Sequence, residues 1–367
     1  MSHHPFQLRR VSALLAVGLL GLSACGGDDD SAATAQSPTS AGQTATTAPP
    51  STEPVTLRLG YFPNVTHAPA IVGVDEGIFE EALADNVTLQ TSTFNAGPAA
   101  VEALFAEALD ATFIGPNPAI NAYAQSKGEA IRIISGATSG GAFLVVREGI
   151  TTSADLEGTK IATPQLGNTQ DVALRAWLKG EGLSADLQGG GDVSVVPQEN
   201  AQSLETFVAG EIDGACVPEP WATRFIQEAG AKVLVDERDL WPEGEYVTTH
   251  LIVRTEFLND HPDVIEQLIT GEVEAVRTVN EGGAEARTIV NAGIEKITGK
   301  ALPQAVIDAA WGNLTFTVDP IASSLAKSAS DAEAAGLLEP VDLSGIYDLS
   351  ILNKVLSAGG QSEVKGL

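Results

Sequence analysis

The side chains that could do acid–base, nucleophilic or metal chemistry in this 367-residue chain are few: five histidines and two cysteines besides its carboxylates. His67, His250 and His261 stand too far apart for an HExxH motif or a helical histidine pair. No GxSxG elbow, P-loop or GxGxxG occurs. Cys216 lies in the strand-like run IDGACVPEP and reads as a small buried residue rather than a nucleophile. His250 and His261 read as structural. His67 falls at a helix start, where the positive end of the dipole disfavours its protonated form. As a neutral ring it is either a hydrogen-bond donor to a ligand or a plain capping residue. The chain is thus read as a non-enzyme, with no cofactor and no metal.

What recurs is a set of turns rich in Asn, Thr, Gly and Pro. They read FPNVTHAPA (62–70), FNAGPAA (94–100), IGPNPAI (114–120), TSGGA (138–142), PQLGNTQ (164–170), QENAQS (198–203) and VPEPWA (217–222). Pro69, Pro98, Pro118 and Pro220 suit the first turn of a helix, where a missing N–H matters little. Asn117, Asn168 or Thr169, and Asn200 or Ser203 can cap. Each turn taken alone only has to end a strand and start a helix. Several together, gathered at the carboxyl ends of strands, would bring free N–H groups and helix dipoles into one polar cleft. Such a cleft is suited to a small anion. The formal net charge of -28 does not oppose this, because the dipole acts within one helical turn. The acid excess does argue against nucleic acid as a partner.

These turns are separated by elements of two periods. Strand-like runs are VTLRLGYF (55–62), VTLQTSTF (87–94), ATFIG (111–115), IRIISGA (131–137) and AFLVVRE (142–148). KIATP (160–164), VSVVPQ (193–198), GACVPE (214–219), KVLVDE (232–237) and HLIVRTEF (250–257) continue them. Most are followed by helical spacing, as in 98–109 and 200–211. Strand, turn and helix in alternation predict an α/β protein with mainly parallel sheets. From Asn259 onward the segments all read as helices with no strand between them. A helical tail of this kind predicts one domain built from 55–141 and 249–367, with a second, 142–248, inserted. The crossings then fall near Ser139-Gly140-Gly141 and Thr248-Thr249, with a cleft between the lobes.

The N-terminus carries Arg9 and Arg10, an apolar run from Val11 to Leu22, and Leu22-Ser23-Ala24-Cys25. The run has the length of a signal-peptide core and is too short to span a bilayer. LSAC resembles the lipobox of bacterial lipoproteins, which makes 1–24 a signal peptide and Cys25 the lipidated residue. Residues 26–54 hold almost no large apolar side chain, so 25–54 is expected to be a flexible tether. With Cys25 lipidated, Cys216 has no partner for a disulfide, and stability must come from the core.

The stretch LGYFPNVTHAPAIVGVDEGIFEEAL (59–83), followed by FNAGPAAVEAL, IGPNPAINAYAQSKGEAIRIISGATSGGAFLVV and IDGACVPEPWATRFIQEAGAKVLVDE, resembles the solute-binding proteins of ABC importers. The group most similar serves aliphatic sulfonates, taurine, nitrate and thiamine precursors, and the likeness runs from Val55 to about Leu356. It implies a two-domain, type II periplasmic-binding-protein-like fold whose cleft closes on a small organic anion, an aliphatic sulfonate first. Nitrate, a thiamine precursor or a sensory role without transport are the alternatives. It also implies a monomer, lipid-anchored on the extracytoplasmic face, that partners an ABC permease with its ATPase. Yeast thiamine-pyrimidine synthases share the fold but use iron and a cysteine-rich motif that Cys216 alone does not supply.

Carried onto matching turns, the resemblance assigns ligand contact to Asn64, Thr66 and His67, to Gly97, and to Asn117. Ser139 and Gly140 follow at the first crossing, then Gly167, Asn168, Thr169 and Gln170. Glu219 and Trp221 come from the PEPW turn. A carboxylate in an anion site is unfavourable unless paired. Glu219 therefore either faces a ligand amine or bonds neighbouring backbone or an arginine such as Arg175 or Arg224. Trp221 is either a wall for a ligand tail or core packing.

Overall fold

A computed structural model describes residues 53–367. The leader, Cys25 and nearly all of the tether lie outside the described residues. The chain opens with β1 (Val55–Tyr61), β2 (Val87–Thr93), β3 (Ala111–Ile114) and β4 (Ile131–Gly140), then continues with β5 (Ala142–Val146), β6 (Lys160–Thr163), β7 (Ser194–Pro197), β8 (Gly214–Pro218) and β9 (Lys232–Asp236). It returns through β10 (Val247–Arg254) and β11 (Leu314–Phe316). Two sheets result, ordered β11-β4-β10-β3-β1-β2 and β7-β6-β8-β5-β9.

The sheets are mixed rather than mainly parallel. β1 pairs in parallel with β2 and β3, and β6 with β7 and β8. β10 runs antiparallel between β3 and β4, and β5 antiparallel between β8 and β9. The reversal belongs to the strands flanking the crossings: β5 enters the second sheet directly from β4, and β10 re-enters the first beside β4.

Both faces of each sheet are covered, so the strands alternate between two apolar layers instead of between core and solvent. Leu251 and Val253 join one layer of the first sheet and Ile252 the other. In the second sheet Phe143 and Val145 face one layer, Leu144 and Val146 the opposite one. The covering helices are α1 (Ala68–Asp75), α2 (Ile78–Ala82), α3 (Gly97–Phe105) and α4 (Pro116–Gln125) for the first sheet, and α5 (Thr169–Gly180), α6 (Asn200–Ala209) and α7 (Trp221–Ala229) for the second.

The tail consists of α8 (Thr255–Asp260), α9 (Pro262–Glu281), α10 (Gly283–Thr298), α11 (Gln304–Trp311), α12 (Ala322–Ala334) and α13 (Ser350–Ala358). α9, α10, α11 and α13 supply one layer of the first sheet, while Leu325 and Ala329 of α12 join the other. The expectation of no strand after Asn259 fails at β11, a three-residue edge strand pairing with the end of β4. Thr248 and Thr249 lie inside β10, Thr249 opposite Thr138 of β4 and Thr248 at a register shift, so the return from the second sheet runs through 237–246. No helix among the described residues is long and apolar enough to cross a membrane.

Candidate functional site

The segment Asn64–His67 turns sharply after β1. Its Thr66 carbonyl accepts from Thr138 Oγ1 (2.7 Å) on β4 and Thr249 Oγ1 (3.1 Å) on β10. This fixes the entry to α1 against the first sheet. His67 is buried, its ring stacked on Phe62 with centroids 4.4 Å apart. Phe62 N–H donates to His67 Nδ1 at 3.4 Å, which places the ring proton on Nε2. Burial pushes the pKa of His67 down to about 3. His67 is therefore a neutral ring with one free N–H.

The opposite wall comes from the loop before α5. Asn168 caps that helix, its Oδ1 accepting from Gln170 N–H at 3.0 Å. Gly167 adopts a left-handed φ of 75°, and its N–H donates to Asp171 Oδ2 at 3.0 Å. Asp171 also accepts from Thr163 Oγ1 (2.9 Å) and from Arg175 Nε (3.1 Å), a pair that is almost fully buried. Arg175 goes on to the carbonyls of Ala185 and Asp186. The turn is thus held from behind, by charges that do not enter the cleft.

Between these walls lies a cavity of about 30 Å³. Asn64, Thr66, His67, Asn168, Thr169 and Gln170, all marked from sequence, line it. So do Phe62, Asn95, Gly115, Pro164, Asn200, Pro218, Thr248 and Thr249, which were not marked. Its lining includes no Lys, Arg, Asp or Glu. Gly115 is required by close approach: a Cβ there would stand 2.3 Å from Thr169 Oγ1. Thr169 Oγ1 and Asn200 Oδ1 are buried and have no hydrogen-bond partner. The helices α1, α4, α5 and α6 all begin at lining residues or one position beyond them. Dipoles from both sheets therefore converge on one uncharged, donor-bearing space.

Partner chemistry fixes the amides. Trp221 Nε1–H donates to Asn64 Oδ1 at 3.1 Å, and an indole can only donate, so Asn64 keeps its NH2 free. Asn168, with its oxygen on Gln170 N–H, likewise keeps its NH2. Asn95 is turned the other way, its Nδ2 donating to Glu199 Oε1 at 3.0 Å. The free groups are mostly neutral donors, as an oxyanion requires.

The other marked residues lie elsewhere. Gly97 packs under the Pro118 ring, and Asn117 Nδ2 donates to Ser328 O (3.0 Å) on α12. Ser139 and Gly140 border a separate hollow of about 360 Å³ with Arg238 and Asn313. Glu219 is fully buried, accepting from Thr223 N–H (3.1 Å), Thr223 Oγ1 (2.8 Å) and Asn313 Nδ2 (2.7 Å). Burial raises its pKa against the pull of those bonds, and it does not line the cavity. Arg224 pairs with Glu228 instead of Glu219. Trp221 borders an outer groove of about 430 Å³, with Arg224 over its ring at 4.6 Å.

Comparison with known proteins agrees with this architecture. A candidate binding protein of Brucella abortus is 29% identical over 231 residues, 62% of this chain and 68% of that one. A candidate aliphatic sulfonates-binding protein of Bacillus subtilis is 24% identical over 83% of this chain and 90% of its own. In structure, the alkanesulfonate-binding protein SsuA of Xanthomonas axonopodis pv. citri, bound to MOPS, superposes with a TM-score of 0.67 at 19% identity, covering 81% of this chain and 99% of that one. The two-sheet fold with its helical C-terminal region is the fold of that binding protein. The family model that matches residues 50–293, more than half of the chain, makes this protein a member of the NMT1-like family.

Proposed function

We propose that the protein is an extracytoplasmic, lipid-anchored solute-binding protein that captures a small organic anion, an aliphatic sulfonate first, and delivers it to an ABC permease. The observation that carries this is the uncharged cavity at four helix starts, with the Thr169 hydroxyl buried and unpartnered within its lining. Buried polar atoms without partners are rare unless something else bonds them. Two lobes, 55–141 with 249–367 and 142–248, close around the ligand in this reading. The sulfonates-binding and SsuA relatives support the ligand class.

A second reading, a bare oxyanion such as nitrate, is favoured by the size of the cavity, which has room for about two waters. Isothermal titration against alkanesulfonates, taurine, nitrate, bicarbonate and thiamine precursors tests the anion class. Affinity only for a neutral sugar or a peptide would overturn it. The anchor is tested separately: palmitate label should enter the wild-type protein and be lost in Cys25→Ala.

A further inference from the structure

Gly115 follows β3 at the cap position of α4, on the first sheet's side of the cleft. Its φ of -72° and ψ of 161° are open to any residue, so the turn itself does not require a glycine. The cap would be served at least as well by Asn, Asp or Ser, whose side-chain oxygen takes up an N–H of the helix. The reason for glycine lies on the other wall. A Cβ on Gly115 would stand 2.3 Å from Thr169 Oγ1, at the start of α5 on the second sheet. Its next neighbours would be Thr169 Cβ at 3.4 Å and Thr248 O at 3.6 Å, both ordinary contacts. Gly97 and Gly214 are crowded too, but by Pro118 and Val145, which stand on the same side of the cleft as they do.

The single obstacle at Gly115 is thus one oxygen from the opposite wall. That oxygen is buried and unpartnered, and its residue lines the cavity. Threonine, branched at Cβ, has few ways to swing it aside. We propose that Gly115 is the closing stop of the cleft: its missing side chain lets Thr169 seat against the backbone, which sets how near the two walls come and how small an anion they hold. This rests on the anion reading of the cavity and adds to it a residue that governs specificity without bonding the anion. A methyl group at this position holds the walls apart, so donors on the two sides no longer reach one small anion together. Nitrate then loses more than methanesulfonate, whose larger head still spans the wider gap.

Isothermal titration of nitrate and methanesulfonate into the wild type, Gly115→Ala, Thr169→Ala and the double variant tests it. In the wild-type background Gly115→Ala should weaken nitrate at least about tenfold, the worth of one charge-assisted hydrogen bond, and methanesulfonate less. Compaction on saturation, read by small-angle scattering, should shrink with it. In the Thr169→Ala background the space is vacant, and the same glycine change should cost less than about twofold. Gly115→Ser adds the same Cβ together with a capping oxygen, so it should lose affinity alongside Gly115→Ala without weakening α4. Melting curves verify the folding of each variant. Wild-type affinity or wild-type compaction in Gly115→Ala overturns the closing stop while the anion reading stands. An equal loss with and without the Thr169 hydroxyl, or an equal loss for the two anions, does the same. Failure of the wild type to bind either anion overturns the anion reading, and this proposal with it.

Discussion

At the scale of single residues, the structure separates two roles that the sequence left merged at Asn168-Thr169. Asn168 supplies the cap bond, so Asn168→Ala should lower stability by about 1 kcal/mol. Thr169 Oγ1 bonds nothing in the protein, so Thr169→Val should change stability little and weaken the anion by about 1–3 kcal/mol. Melting curves and titrations of the two variants check this, and equal affinity in Thr169→Val would remove the hydroxyl from the site. His67 gives a pH prediction. Its pKa is pushed down to about 3 by burial, so in the proposed site it meets the anion as a neutral donor and affinity should stay flat from pH 8 to pH 5. A charged imidazolium would instead make affinity climb as pH falls through about 6.5. Stability moves differently. The unfolded histidine takes up a proton near 6.5 and the folded one does not, so stability is full above that pH and declines as pH falls toward 3. His250, pushed down to about 4 by burial, adds to the same decline. Denaturant titrations between pH 4 and 8 read it out, and a shallower slope in His67→Gln assigns His67's share.

At the scale of elements, strands and helices were legible because their periods differ and because Gly, Pro and Asn punctuate them. Every strand expected between Val55 and Phe257 exists, most within a residue or two of its expected ends. Strand direction was not legible, since it depends on how the chain passes between sheets rather than on any local pattern. β11 was missed because three residues at an edge carry no period. The site was legible as turns but not always as positions within them. In two turns of the first sheet the cavity is lined two places before the marked residue: Asn95 lines it and Gly97 does not, Gly115 does and Asn117 does not. In α4 the second helical residue, Asn117, turns to its neighbour α12, while Gly115 at the cap faces the cleft. The i,i+4 spacing of Asp171 and Arg175 is present in the sequence, but not the burial of that pair or its bonds to Gly167 N–H and Thr163 Oγ1 behind α5. Asp171→Asn strips Arg175 of its counter-charge in a closed space, and should destabilise the protein by about 3–5 kcal/mol. Urea unfolding checks it. A loss under about 1 kcal/mol would mean that the carbonyls of Ala185 and Asp186 suffice for Arg175.

At the scale of the whole molecule, the bonds across the cleft are few and polar. Trp221 reaches Asn64, Glu199 reaches Asn95, Lys179 Nζ donates to Ala334 O at 2.8 Å, Gln227 Nε2 to Ala305 O at 3.2 Å, and Asn313 Nδ2 to the buried Glu219 Oε1 at 2.7 Å. Each joins an element of the second sheet to the first sheet or its tail, and the exposed ones among them contribute only about 1 kcal/mol or less apiece. The donors that line the cavity are divided in the same way, with His67 and Asn64 on one side and Asn168 and Thr169 on the other. An anion therefore gains its full set of bonds only when both walls are in place, which gives it the differential affinity that a shift toward the closed form requires. At about a hundred times its dissociation constant it should add roughly 2.7 kcal/mol to stability. Small-angle scattering should show compaction on saturation. Trp221→Phe keeps the ring and deletes the indole N–H that bridges to Asn64, so it should release the anion about fivefold faster, a loss near 1 kcal/mol, with association nearly unchanged. Stopped-flow kinetics separate the two rates. An unchanged release rate, together with no compaction under saturating anion, would show that the two walls hold their positions without the ligand and that binding needs no closure.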